Sequence, residues 1–450
     1  MLDSTVVALA LPEIGRDTGA TPNGLQWVMN GYLLVIAALV VTAGRLGDIF
    51  GRKRLFQLGM ACFALGSIVS ALAGDEVALI LGRALQGVGA APMLPLSLAI
   101  VCNAFPRELQ ARALGIWAGV SALALGIGPL AGGALIEVDW RLIFWVNLPI
   151  AAIGIAITAA AAPESTDPGS GRHIDLPGLL TLSSGLTAVV LALVQSRVWD
   201  GPLTAAVAGA GLVGLATFCW IEQRVANPIV DFSLFRNAPY FGASAAAFAL
   251  VGSYWTVMFF QPQYLQGVRG NSAVESGLLI LPVTVPMIFI SPLSGRLIAR
   301  FGSRRLMTAG MALGCAGLAL MTQIGSDSGY GLLLGGYLLF GIAIGLVYAP
   351  MSTAAMAAMP PEKAGIASGV LAMDRVMAGA VTLAGAGAVF HALDLHHGYS
   401  YAIARASWVL VGLTAVGTVL TYAFVRDPGE PRRHPEPAPE HCQHHRRFHL

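Results

Sequence analysis

Charge is what this chain has least of: 11% of its 450 residues are Asp, Glu, Lys or Arg, against 56% hydrophobic. Soluble domains run near a quarter charged, so the polar surface needed to face water is missing. The net charge of +2 is too small to suggest a nucleic-acid partner. Five cysteines, at 62, 102, 219, 315 and 442, show no CxxC spacing, and four lie in apolar runs. They read as small core residues rather than disulfides or metal ligands. No GxxxxGK[ST] loop is present for an ATP-driven motor. Ten-residue segments of alternating polarity, the mark of a β-barrel, are missing too. No charged n-region precedes the first apolar stretch, so a cleavable signal peptide is not expected. No His/Asp/Glu cluster of catalytic spacing occurs in the apolar runs, and an enzyme is not expected.

What is there is apolar runs of about twenty residues, the length that crosses a hydrocarbon core about 30 Å thick. Backbone groups in lipid must be satisfied internally, so the runs are helices and the chain is an all-α membrane protein. Fourteen spans are expected, at 1–14, 25–46, 55–73, 77–101, 111–136, 142–162, 175–195, 201–221, 239–262, 273–296, 305–325, 330–352, 365–390 and 403–425. Fourteen helical residues cover about 21 Å, so the first span reads as truncated or as following a miscalled start. Nineteen basic residues fall in one set of loops and five in the other, with Arg83 and Arg375 inside spans. The rich side is read as cytoplasmic, and the C-terminus with it.

Two loops repeat at a constant offset: Gly44-Arg45-Leu46-Gly47-Asp48-Ile49-Phe50-Gly51-Arg52-Lys53-Arg54, and Gly295-Arg296-Leu297 through Phe301-Gly302-Ser303-Arg304-Arg305. Eight spans separate them where two adjacent six-helix halves would give six. The expected plan is therefore a first six-helix bundle over 1–162, an inserted pair with its linker over 163–238, and a second bundle over 239–425. The Pro-, Arg- and His-rich tail 426–450 is expected to be disordered. Its His441-Cys442-Gln443-His444-His445 is read as solvated and basic, and no metal site is assigned. Repeated halves are the mark of secondary transporters, with the substrate near the midplane between them.

The Gly44–Arg54 loop resembles the signature of the major facilitator superfamily, with Gly44, Asp48, Gly51, Arg52 and Lys53 as its gating residues. Glycines let helix ends approach, and Asp48 can pair with a base or cap the neighbouring helix. The stretch around Arg83, Leu79 to Ala91, resembles the family's fourth-helix motif. An arginine inside a span is costly and faces a cavity or partner, the alternative being a side chain that snorkels to the interface. Gly119 to Gly133 resembles the antiporter motif, with Gly128, Pro129, Gly132 and Gly133 allowing either a bend or plain close packing. Trp140 to Ile150, Leu2 to Pro12, Asn227 to Asp231 and Gly365 to Val370 narrow the likeness to the fourteen-span drug:proton antiporters, relatives of multidrug and quaternary-ammonium efflux pumps.

That resemblance implies proton-coupled efflux of hydrophobic, cationic small molecules by alternating access, driven by the proton gradient without a cofactor. It implies Asp3 as the coupling carboxylate, the alternative being a cap on a short helix. Arg83 would aid proton release, and Asp374 would be a second proton site or a cation contact. Substrate contacts are sought among the aromatic, Met and amide residues Trp27, Asn30, Tyr32, Gln86, Tyr254, Met258 and Gln261. The expected partners are small molecules, protons and the lipid bilayer of the cell membrane, with a multi-pass monomer as the working unit. Two alternatives stand beside this reading: export of an endogenous metabolite, and a transport-inactive membrane sensor or binding protein.

Overall fold

The computed structural model describes residues 2–106, 120, 124, 127–166, 175–196, 198–225, 228–323, 329–359, 364–397 and 399–426. Among the described residues lie fourteen helices and no strand. The first six are α1 (Leu2–Thr18), α2 (Pro22–Phe50), α3 (Arg52–Ala71), α4 (Glu76–Ala104), α5 (Ile127–Val138) and α6 (Leu142–Ala161, interrupted by a turn at Val146 between Leu142–Trp145 and Asn147–Ala161). Then come α7 (Leu176–Gln195) and α8 (Gly201–Glu222), followed by a short 3-10 turn at Phe232–Arg236. The last six are α9 (Ala238–Gly267), α10 (Ala273–Phe301), α11 (Ser303–Met321), α12 (Tyr330–Ala357), α13 (Ala364–His397) and α14 (Tyr399–Phe424).

The helices start where the sequence supplies an acceptor for free backbone N–H groups. Asp75, Asp175 and Asp200 accept from Ala78, Gly178 and Leu203 at 2.8, 2.8 and 3.2 Å. Ser272 and Glu275 close a reciprocal capping box at the start of α10. Proline follows at N1 or N2 in α2, α7, α8 and α9, where no donor is lost. The repeated loops share a backbone device. Gly51 (φ 115°) and Gly302 (φ 79°) take positive φ at matching positions, joining α2 to α3 and α10 to α11.

Eleven of the helices are long and apolar enough to cross a membrane. Of the rest, α1 has 17 residues, α5 is described from Ile127 onward, and α11 opens with Arg304 and Arg305. The first span does not stop at residue 14: the helix continues to Thr18, whose hydroxyl donates to the Ile14 carbonyl at 2.6 Å. The cysteine expectation is corrected in burial only: Cys219 and Cys315 pack against the core from its edge rather than within it. Cys62, Cys219 and Cys315 are half-buried free thiols on helix flanks, Cys62 and Cys315 donating to the carbonyls of Leu85 and Val411. The Cys102 side chain, and the whole tail from 427 including His441 to His445, fall outside the described residues.

Helices α2, α3, α4 and α6 pack together, as do α9 to α14. The two sets meet where α2 lies on α13 and α1 on α9 and α10. Helix α9 is 89% buried across its apolar window, so it forms the centre of the second set. The two helices of the inserted pair are placed differently from one another. Helix α7 packs against both α2 and α13, at the seam between the sets, and the Asn23 amide donates to Gln195 at its end. Only α8 is outlying, with 11% of its window buried.

Candidate functional site

The polar heart of the first bundle is built around Asp3 and Arg83. Both are buried, Arg83 at 0% exposed, so it does not snorkel. Arg83 Nη1 donates to Asp3 Oδ2 at 2.6 Å and to Gln86 Oε1 at 2.7 Å, while its Nε donates to the Val28 carbonyl at 3.2 Å. The guanidinium carbon lies 4.3 Å from the centre of the Tyr32 ring. Asp3 Oδ1 accepts from Asn147 Nδ2 at 2.9 Å and from Gln86 Nε2 at 3.3 Å. Ser67 Oγ closes the ring, accepting from Gln86 at 2.7 Å and Asn147 at 3.3 Å. Five helices thus converge on one carboxylate: α1, α2, α3, α4 and α6.

Local sequence explains the convergence. Residues at i and i+3 share a helix face, which sets Arg83 and Gln86 side by side on α4. Glycines let the backbones close: a side chain at Gly66 would strike the Gln86 backbone, and one at Gly82 would strike Ser70. A buried ion pair must fill its remaining hydrogen-bond positions to offset desolvation. Here both Asp3 oxygens are filled, and Arg83 Nη2 is the one donor of that guanidinium left without a partner. Asp3 sits in the first turn of α1, but the bonds it makes are to α4 and α6 side chains, which goes beyond a helix cap.

The other expected residues separate into groups. Tyr32 and Gln86 belong to the Asp3 cluster. Gln261 is engaged within the second bundle, accepting from the Tyr337 hydroxyl at 2.6 Å. Asn30 and Tyr254 are buried with side-chain polar atoms lacking partners, Met258 is buried, and Trp27 is half-buried. Asp374 is not brought to Asp3. Its Oδ2 is enclosed and without a partner, while Arg375 turns to the Leu371 carbonyl (3.3 Å) and the Tyr348 ring (5.3 Å).

Three residues escaped the sequence reading. Asn147 sits in the recognised Trp140–Ile150 stretch, an amide inside an apolar span, and that was its available signal. Ser67 had none. Gln26 is buried one turn before Asn30 with both amide atoms unpartnered, and a side chain at Gly387 of α13 would strike it. It lines a small cavity with Phe259, Phe260 and Phe390.

In the gating loop Asp48 takes the first of its two expected roles, pairing with a base, and a different carboxylate supplies the helix cap. Asp48 pairs with Arg52 Nε at 2.8 Å, while Glu164, past the end of α6, accepts from the backbone N–H groups of Lys53 and Arg54 at 3.0 and 3.2 Å. Lys53 Nζ donates to the Ala159 carbonyl at 2.8 Å. A Cβ at Gly44 would meet Pro95 at an ordinary contact distance of 3.5 Å, whereas a side chain at Gly51 would collide with Glu164. At the opposite end, Asp17 accepts from Trp140 at 3.0 Å and Arg141 at 2.8 Å.

Of the 119–133 stretch, residues 120, 124 and 127 onward are described. Gly128, Pro129, Gly132 and Gly133 are buried where α5 is wedged between the bundles. A side chain at Gly132 would lie 2.8 Å from Val6 of α1, one at Gly133 2.9 Å from the Cα of Val274 of α10, and one at Gly277 would strike the Pro129 carbonyl. Gly133→Leu is expected to wedge this seam open. Overpacking costs about 1–3 kcal/mol, so the closed seam should be disfavoured by roughly fivefold to 150-fold. Transport rate in vesicles should fall accordingly while the purified protein keeps its monodisperse elution and helical content.

A family model described as Major Facilitator Superfamily matches residues 1–383. The multidrug resistance protein Stp of Mycobacterium tuberculosis is 36% identical over 395 residues, covering 87% of this chain and 73% of that one. The tetracenomycin C resistance and export protein of Streptomyces glaucescens is 35% identical, covering 82% and 69%. The puromycin resistance protein of Streptomyces alboniger is 33% identical, covering 92% and 87%. In fold, the human organic anion transporter MFSD10 superposes with a TM-score of 0.63 at 17% identity, covering 93% of this chain and 96% of that one. A family match over most of the chain, a repeated-loop helical architecture and relatives above 30% identity agree: this multi-pass membrane protein belongs to the Major Facilitator Superfamily.

Proposed function

We propose that the protein exports hydrophobic, cationic small molecules in exchange for protons, by rocking α1–α6 against α9–α14. The observation that carries this reading is the Asp3 carboxylate, buried under Arg83, Asn147 and Gln86. A proton on Asp3 cancels its charge and loosens the pair with Arg83, so proton loading changes what holds α1 to α4. Polar atoms without partners on Asn30, Tyr254 and Gln26 supply hydrogen-bonding groups for a bound molecule. The names of the relatives support efflux of drugs and antibiotics. On this reading no cofactor takes part, and the basic loops and the C-terminus face the cytoplasm. The membrane potential supplies about 2.3 kcal/mol per charge per 100 mV, enough for a gradient of between one and two decades.

The test is dye accumulation in inverted vesicles under an imposed proton gradient. Accumulation should collapse on adding an uncoupler; if it does not, proton coupling is wrong. A second reading, export of a self-made antibiotic, is favoured by the relative named as a cephamycin export protein of Amycolatopsis lactamdurans. Competition between the dye and antibiotics of those structural classes separates the two.

A further inference from the structure

A second buried acidic site lies in the inserted pair, outside the machinery described above. Asp175 opens α7 and Glu222 closes α8, at the end that carries the basic loops. They are 8% and 4% exposed. Each uses one oxygen structurally: Asp175 Oδ1 accepts from the Gly178 backbone at 2.8 Å, and Glu222 Oε2 from the Val230 backbone at 3.1 Å. The remaining two, Asp175 Oδ2 and Glu222 Oε1, are enclosed and have no donor among the described residues. They converge over Gly178, where any side chain would strike both. A Cβ at Gly178 would overlap Asp175 Oδ2 and lie 2.6 Å from Glu222 Oε1, so the two oxygens face the same point, yet as two carboxylates neither can donate.

Among the described residues no basic side chain pairs with either carboxylate. The charged neighbour that acts on Glu222 is Asp175. Cys219, a half-buried thiol, is one turn away on the same helix. Arg224 is turned aside, 4.1 Å over the Trp220 ring and donating to the Trp220 carbonyl. On the helices packed against α7, Asp48 of α2 is bonded to Arg52, and Arg375 of α13 lies on Tyr348 beside Asp374. Arg45 of α2 makes contacts of its own, and Arg172 and His173 lie outside the described residues. Two adjacent anions out of water repel, and like charges at such a separation do not both stay ionised. One proton resolves both orphan oxygens at once, because the protonated carboxyl donates to the other.

We propose that Asp175 and Glu222 share a single proton and form a protonatable clasp that fastens α7, α8 and the following linker together. The linker is already tied to α8: Phe218 packs edge-on against Phe232 at 6.0 Å, Phe232 lies 6.3 Å from Phe235, and Phe235 meets Tyr240 of α9 at 5.6 Å. Loss of the proton to water leaves two facing anions beneath this joint. The clasp determines how firmly α8 and the linker are held to α7, the helix that packs on α2 and α13.

The test uses the full chain in detergent and follows heat unfolding against pH for wild type, Glu222→Gln and Asp175→Asn. The amides imitate the neutral carboxyl, and Asn serves as well as Asp at a helix start. A proton held by the folded state and released on unfolding makes stability fall as pH rises. The folding constant of either variant relative to wild type should therefore rise with pH, by up to about tenfold per unit. In the infrared, a protonated-carboxyl band of wild type at neutral pH should vanish in both variants and persist in Asp3→Asn and Asp374→Asn. Parallel pH curves with no lost band overturn the clasp. So does stabilisation of wild type alone by sodium, potassium, magnesium or calcium chloride at fixed ionic strength, which would make the pair a metal-cation site. If one variant does not fold, the other carries both readouts.

Discussion

Asp3→Asn is expected to abolish proton-driven accumulation of substrate while leaving the protein folded and able to bind it. The amide keeps an oxygen that can accept from Arg83, but it cannot take up or release a proton. The same substitution would also place an NH2 group opposite Asn147 and Gln86, both of which now donate to the carboxylate. A loss of stability of about 1–3 kcal/mol is expected from these mismatched donors, and the fold should survive it. Transport then has no link to the proton gradient, and with no membrane potential imposed the inside-to-outside ratio should relax to unity. Counterflow of dye down its own gradient should persist. The measurement is paired: proton-driven uptake and dye counterflow in the same vesicles. Normal proton-driven pumping by Asp3→Asn would remove Asp3 from the coupling role.

Arg83→Met should be the most destabilising single change in the first bundle. It removes the guanidinium from a site with 0% exposure and leaves Asp3 enclosed without its counter-charge. Breaking a buried pair by deleting one partner costs about 3–5 kcal/mol, because an unpaired charge remains out of water. It also frees the Val28 carbonyl and Gln86 Oε1 and uncovers the face of Tyr32. The double variant Asp3→Asn/Arg83→Met should regain part of that loss, since no charge is then stranded. Unfolding midpoints of the four proteins form a cycle that isolates the pair term. If the double variant is less stable than Arg83→Met by the full Asp3→Asn increment, the two residues act independently and the pair is not the keystone argued here.

Much of the architecture was legible in the chain. Apolar runs of membrane-spanning length forced helices, and the helix starts at Asp75, Asp175, Asp200 and Ser272 are written in local side-chain chemistry. The repeated loop likewise announced two joints, and both proved to turn on a glycine of positive φ. Arg83 announced itself because an arginine in an apolar run needs an explanation. Local pattern could not say where that arginine would point: on α4 it had a route to the interface, and the structure took it inward to Asp3, eighty positions away.

The sequence by itself determined the class of molecule, its helices and the pair of residues most in need of a partner. Those properties depend on composition and on spacing within one run. Tertiary structure alone decided the partners. Ser67 and Asn147 joined the Asp3 site because helices α3 and α6 close upon α4, and no period within either helix encodes that meeting. Glu164, rather than Asp48, came to cap α3 through the same kind of contact between distant segments. The placement of α7 at the seam, and the convergence of Asp175 with Glu222, also follow from helix-on-helix packing. Lipid rewards every apolar helix face alike, so hydrophobicity cannot choose which face meets which neighbour. Small residues at close crossings and polar atoms that must find partners make that choice.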